Sequence, residues 1–248
     1  MYSNGYSKTG RYLFSTITNG ITRLQAKFKS LLAARLVKLT LNTDSSRLNV
    51  IASLSPEGQN NQLIAEVFPI RGITEDEQKN RPIPNLTDSR HLPVGTPIQF
   101  QLTNNESSDL HVNILFIDQN GEITAIFPNN WAQSAAFVQV KAGRTIQIPQ
   151  LDDPFQIVLQ EPKGVVEVLI IASRDPLTKS LKTLQQIASR NGVERGTITI
   201  SEPLEVINDL LEDFDAGSRD AYKGSVALRP RQVDTTKLAA MSMSFEIV

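Results

Sequence analysis

The feature that most constrains this chain is a succession of short apolar-patterned segments between Pro97 and Ala172. Ile98, Phe100 and Leu102 alternate with Gln99, Gln101 and Thr103, the pattern of a strand with one dry face and one wet face. Val112 to Ile117 is largely apolar at consecutive positions, which predicts a central strand covered on both faces. Asn120-Gly121 follows, and both residues tolerate the positive φ of a type I′ hairpin turn. Ile123, Ala125 and Phe127 return beyond it. Phe137–Val140, Thr145–Ile148 and Phe155–Leu159 read as further short strands, separated by Gly143 and by Pro149 to Pro154. Val165 to Ala172 reads as a buried strand. Short strands at this spacing, punctuated by turn residues, close into a sandwich or barrel. The expected fold is mainly β with flanking helices: an Ig-like or jelly-roll-like β-sandwich core plus an N-terminal helix and two C-terminal helices.

The flanks supply those helices. From Tyr12 to about Leu36 apolar residues recur at helical spacing (Phe14, Ile17, Ile21, Leu24, Phe28, Leu31, Leu32), and pairs four apart share a face. Asn19-Gly20 interrupts the pattern, which favours a start at Ile21. Val37, Leu39 and Leu41 alternate with Lys38, Thr40 and Asn42, and Leu48, Val50 and Ala52 repeat that period after Asp44-Ser45-Ser46, so a β-hairpin is expected there. Leu63 to Phe68 is a candidate third strand. Asp175 is placed to cap a helix whose first position is Pro176 and whose stop is Gly192. A second helix is predicted over Pro203 to Phe214, and Met241, Met243, Phe245 and Ile247 alternate as a terminal strand. The expected division is a disordered tail over 1–10, a helix and β-hairpin segment over 11–71, a polar linker or loop over 72–94 containing Pro82, Pro84 and Pro93, and a sandwich module over 95–248.

Chemistry-bearing patterns are sparse. The chain has no cysteine, which excludes thiolate nucleophiles, disulfides and cysteine-containing zinc sites. Its formal net charge of -1 provides no general field for nucleic acid. No stretch approaches the roughly 20 apolar residues of a membrane span, and the N-terminus lacks the apolar core of a secretory signal, so a soluble, cytoplasmic protein is expected. The only histidines are His91, in the polar linker, and His111, in or beside a strand; nothing in their spacing proposes a metal site. Asp213 to Gly217 opens like a calcium loop, but its glycine falls one position early and Gly224 stands where the bidentate Glu belongs. Asp152-Asp153 fits a turn, where the side chain bonds local backbone. No cofactor is expected.

Two features are candidate interaction sites. Trp131, in Pro128-Asn129-Asn130-Trp131, is either an exposed aromatic platform or a plug at one end of the sandwich, the plug being preferred. Arg23, Lys27 and Lys29 belong to a basic N-terminal segment that contains no acid before Asp44. It could touch anionic lipid or nucleic acid; a solvated helix face is the preferred reading, and a membrane surface is not favoured.

Gly95, the strand Val112 to Asp118, Asn120-Gly121, Ile126-Phe127-Pro128-Asn129, Gly143, Ile148-Pro149, Gly164 and Ala172-Ser173 together give residues of about 92–176 a pattern that resembles the domain of unknown function numbered 4384. With Leu31 to Asn42, Ser45 to Val50 and Thr236 to Phe245, the likeness extends over about residues 30 to 248 to the C-terminal part of cyanobacterial caspase-family (peptidase C14-like) proteins. In that family an upstream domain carries a His–Cys dyad. No residue here can take that role, since a thiolate nucleophile needs the thiol first and its histidine second. The resemblance therefore implies a non-catalytic protein-interaction or regulatory accessory module, with a protein partner such as a caspase-like protease subunit. An enzyme of a non-thiol class with a site assembled only in the fold is the alternative, beside peripheral membrane association through the basic helix. The sequence leaves partner identity, oligomeric state and biological process open.

Overall fold

A continuous helix opens the described chain: α1 spans Lys8–Lys38. The computed structural model describes residues 8–59, 62–72, 90–132, 138–219 and 234–248, with backbone alone for 8–19 and 216–219. Asn19-Gly20 does not break α1, and the helix starts at Lys8, inside the span expected to be a disordered tail; residues 1–7 lie outside the described residues. The expected strand over Val37 to Asn42 is also replaced. Ala33, Ala34 and Val37 are buried at helical spacing, so their packing carries the helix through Val37 against the local alternation. Leu39 is left exposed. The expected hairpin partner of the next strand is therefore missing, and that strand pairs elsewhere.

After α1 come β1 (Val50–Pro56), β2 (Ala65–Val67), a short 3-10 turn at Ile70–Gly72, β3 (His91–Leu92), β4 (Pro97–Asn104), β5 (Leu110–Ile117), β6 (Ile123–Phe127), β7 (Gln139–Val140), β8 (Thr145–Ile148), β9 (Ile157–Val158) and β10 (Gly164–Ser173). Then follow α2 (Thr178–Arg190), β11 (Ile198–Thr199), α3 (Pro203–Arg219) and β12 (Leu238–Ile247). One sheet has the order β2-β1-β4-β8, with β9 also on β4; the other has the order β11-β6-β5-β10-β12-β3, with β7 also on β5. The expected mainly-β core with helices at both chain ends is what forms.

Most of the linker predicted over 72–94, residues 73–89, lies outside the described residues. On its two sides, β1 and β4 pair antiparallel from Val50↔Asn104 to Pro56↔Ile98, so segments on either side of that stretch share one sheet.

Burial divides the apolar residues into two layers. Val112, Ile114, Val166, Val168, Ile170, Met241, Met243 and Phe245 face inward with Leu54, Ile98, Phe100 and Leu102 of the opposite sheet. Leu115, Ile117, Leu169, Ile171 and Ala240 face the other way, against Leu184, Ile187, Ile207, Leu210 and the C-terminal end of α1. The second sheet is thus dry on both faces where helices cover it, which is why β5 and β10 have near-continuous apolar sequences. Beyond the helices, Ser242, Ser244 and Glu246 of β12 are not buried.

Turn chemistry fixes the β5–β6 hairpin, though not as expected. The Gly121 N–H donates to the Asp118 carbonyl at 2.9 Å and the Asp118 N–H to the Glu122 carbonyl at 3.1 Å. Among the described residues only glycines have positive φ, Gly121 at 77°. This is a type I turn followed by a left-handed glycine rather than the predicted type I′ pair. Asp118 Oδ1 accepts the N–H groups of Asn120 and Glu122, each at 2.8 Å.

Candidate interaction surface

Among the described side chains of α1, those buried lie toward its C-terminal end. Residues 21–29 are exposed without exception, including Ile21 at 60%, Leu24 at 57% and Phe28 at 66%. Leu31 and Leu32 are also exposed. At 3.6 residues per turn, Ile21, Leu24, Phe28 and Leu32 share one face, turned about 180° from the mean direction of buried Ala33, Ala34 and Val37. The helix therefore attaches to the body by one face and holds its apolar stripe on the other.

Three contacts fix that orientation. The Lys38 ammonium pairs with Glu167 of β10. Leu31 lies over the hairpin turn, its Cδ2 at 2.6 Å from where a Cβ on Gly121 would stand. Asn42, just past the helix, clips the chain to β12: its N–H donates to the Ala240 carbonyl at 2.9 Å. Its Nδ2 donates to the Leu238 carbonyl at 3.0 Å, and its Oδ1 accepts the Ala240 N–H at 2.7 Å.

Of the sequence-predicted residues, Arg23, Lys27 and Lys29 all lie on this exposed part of α1. Trp131 lies apart from them. It is 6% exposed and packs in the layer between sheet and helices. Its Nε1–H donates to the Gly196 carbonyl at 2.9 Å, as a buried indole requires. The ring is buried beneath the helices rather than presented on the surface. Phe14 and Ile17 have side chains outside the described residues. The stripe itself was legible as helical periodicity; its exposure was not, because periodicity does not distinguish a buried apolar face from an open one.

Most other polar groups singled out by sequence have structural partners. His91 is in β3, with Nε2 3.2 Å from a Glu246 carboxylate oxygen. His111 is buried in β5, its Nε2 3.3 Å from Gln139 Nε2. Asp153 Oδ2 accepts the Gln150 N–H at 2.8 Å and Asn129 Nδ2–H at 3.1 Å, the local backbone role expected of that turn. Asp175 does not cap α2. The helix begins at Thr178, with Leu177 in the cap position and no side-chain cap. Buried Asp213 of α3 does the work from another element, accepting the N–H groups of Lys179 and Ser180 and the Ser180 hydroxyl at 3.0, 3.0 and 2.9 Å. Thr183 donates to Asp209, one turn earlier.

Local contacts shift three titrating groups. The Lys141 ammonium, donating to Asp109 at 2.8 Å, holds that carboxyl below the usual range. The Thr236 hydroxyl, donating at 2.7 Å, does the same for Asp234. Glu212 raises the Lys179 ammonium. The space among His111, Val112, Asn113, Val138, Leu177 and Leu181 is about 10 Å³, room for about one water. A groove of about 460 Å³ runs beside Thr124, Thr199, Gln156 and Leu159, and Asp118 at its rim is held by the turn described above. No group of three or more metal-ligating side chains occurs among the described residues. No helix among them is long and apolar enough to cross a membrane.

The family described as Domain of unknown function (DUF4384) matches residues 91–176, the stretch from β3 through β10 to the approach of α2. No curated protein matches the chain, and no solved structure does.

Proposed function

We propose that the protein is a non-catalytic accessory module that acts by contact, binding or restraining a separate protein. The observation that carries this reading is the employment of the buried acid: Asp213 holds the N-terminus of α2 instead of facing a cavity. Partly buried Glu106 is used likewise, accepting the Asn49 N–H at 2.7 Å and pairing with Arg174 at 2.5 Å. Carboxylate oxygens occupied by such donors are not placed to take a proton from a substrate. The packed interior leaves the exterior as the working part.

The match over residues 91–176, with the wider resemblance to the C-terminal part of cyanobacterial caspase-family proteins, supports a caspase-like protease subunit in the cytoplasm as the partner. The chain supplies no thiol to that reaction. The test is cross-linking of the full chain in extracts of its native host, followed by mass spectrometry. Recovery of a caspase-like subunit, with no hydrolysis of peptide substrates by the chain alone, is the expected outcome. Substrate turnover by the purified chain would overturn the reading, as would repeated recovery of no such subunit.

A further inference from the structure

Beyond that reading, and independently of it, we propose that the open face of α1 seats in the headgroup layer of an anionic lipid surface. Ile21, Leu24, Phe28 and Leu32 form a stripe about 17 Å long at 1.5 Å per residue, on a helix segment with every side chain from 21 to 29 exposed. Contiguous exposed apolar side chains on a folded module mark a contact surface. Its flanks are cationic. Lys27 falls about 40° to one side of the stripe's Leu31 edge, and Lys29 about 60° beyond Leu32 on the other, at 100° per residue. Long cationic side chains beside an apolar face can lay their stems along it and their ammonium groups among headgroups.

Charge decides among the occupants. Arg23, Lys27, Lys29, Arg35 and Lys38 carry this helix, and the chain has no acid before Asp44. Lys38 is answered within the molecule by Glu167. A second copy of α1 laid against the first would add a similar set of cations with no acid between them, whereas an anionic surface answers the flanking Lys27 and Lys29. The fold leaves room for that surface. Because the stripe points about 180° away from Ala33, Ala34 and Val37, the helix can lie flat on lipid with the sandwich on its far side. The depth is that of an interfacial helix, since no described helix can cross a membrane.

The test is flotation of the full chain with vesicles of phosphatidylcholine alone or mixed with phosphatidylglycerol. Binding to the anionic vesicles only, falling as salt is raised, is expected. Replacing two surface-facing lysines, Lys27→Gln with Lys29→Gln, is expected to lower the partition coefficient about thirtyfold, at roughly fivefold per cation. Phe28→Asp is expected to abolish binding. Circular dichroism and the emission of buried Trp131 report whether each variant is folded. No flotation by the folded wild type overturns the proposal. So does flotation that folded Phe28→Asp leaves unchanged. A dimer dissolved by Phe28→Asp without vesicles would assign the stripe to a second copy. Salt-sensitive binding to nucleic acid that Lys27→Gln/Lys29→Gln removes, with no vesicle binding, would assign the cations to nucleic acid.

Discussion

Asp213 shows how much one side chain can organise. The first N–H groups of any helix lack partners inside it, and α2 has no cap of its own. A carboxylate from α3 satisfies Lys179 and Ser180, adding a negative charge where the helix dipole favours one. Asp213→Ala removes that charge and leaves two N–H donors and the Ser180 hydroxyl without it, at a site that is 7% exposed. A loss of about 2 kcal/mol is expected, within the range for caps and for buried donors left unpaired. Ser180→Ala should cost about half as much, because the backbone donors keep their acceptor. Urea denaturation checks both, the expected result being a lower midpoint at unchanged slope. A midpoint equal to wild type for Asp213→Ala would mean that water replaces the carboxylate, and the cap would then contribute nothing to stability.

At the scale of elements, the chain reads well where one force dominates and poorly where two compete. The strands β4, β5, β6, β10 and β12 were legible because alternation, continuous apolar runs and turn residues agree. So were the stop of α2 at Gly192 and the helical character of residues 21–36. Val193 N–H to the Ala188 carbonyl and Gly192 N–H to the Ser189 carbonyl, at 2.9 and 3.1 Å, complete that stop as a Schellman motif. Val37 to Asn42 misled because it alternates like a strand, while Val37 is held as the last packed position of α1. The cap of α2 was illegible for a different reason, as its acceptor lies more than thirty residues away. Of the candidate surface, the basic residues were legible and the exposure of the stripe was not. Val37 gives the same contrast a measurable form. Val37→Asp buries a charge at a position that is 1% exposed and should destabilise the protein by about 3 kcal/mol or more. Phe28→Asp, on the open face of the same helix, should change stability by no more than about 0.5 kcal/mol. Thermal melts of the two variants beside wild type make the comparison; equal losses would mean that the stripe is packed rather than open.

The molecule as a whole is closed by its last strand. β12 pairs with β10 through ten residues, from Gly164↔Ile247 to Ser173↔Leu238, and with β3 on its other side. It contributes Met241, Met243, Phe245 and Ile247 to the layer between the sheets and Leu238 and Ala240 to the layer beneath the helices. Phe245 meets Phe116 edge to face at 5.7 Å between ring centres. Each fully buried large side chain is worth about 1.5–3 kcal/mol of transfer free energy. The five large ones together are therefore comparable to the roughly 5–15 kcal/mol by which a domain is stable. Removing the strand would also expose the ladder of β10 and the apolar row Val166, Val168 and Ile170, an open edge that invites aggregation. A chain ended at Val233 should therefore have no cooperative melting transition and should collect in the insoluble fraction. A chain lacking residues 1–28 should melt within a few degrees of the full protein, because from Gly20 onward it loses no buried side chain. Calorimetry on both truncations separates the two fates. A cooperative transition in the chain ended at Val233 would mean that β5 and β10 hold the second sheet without β12, and that the closing strand is an addition to a core already complete.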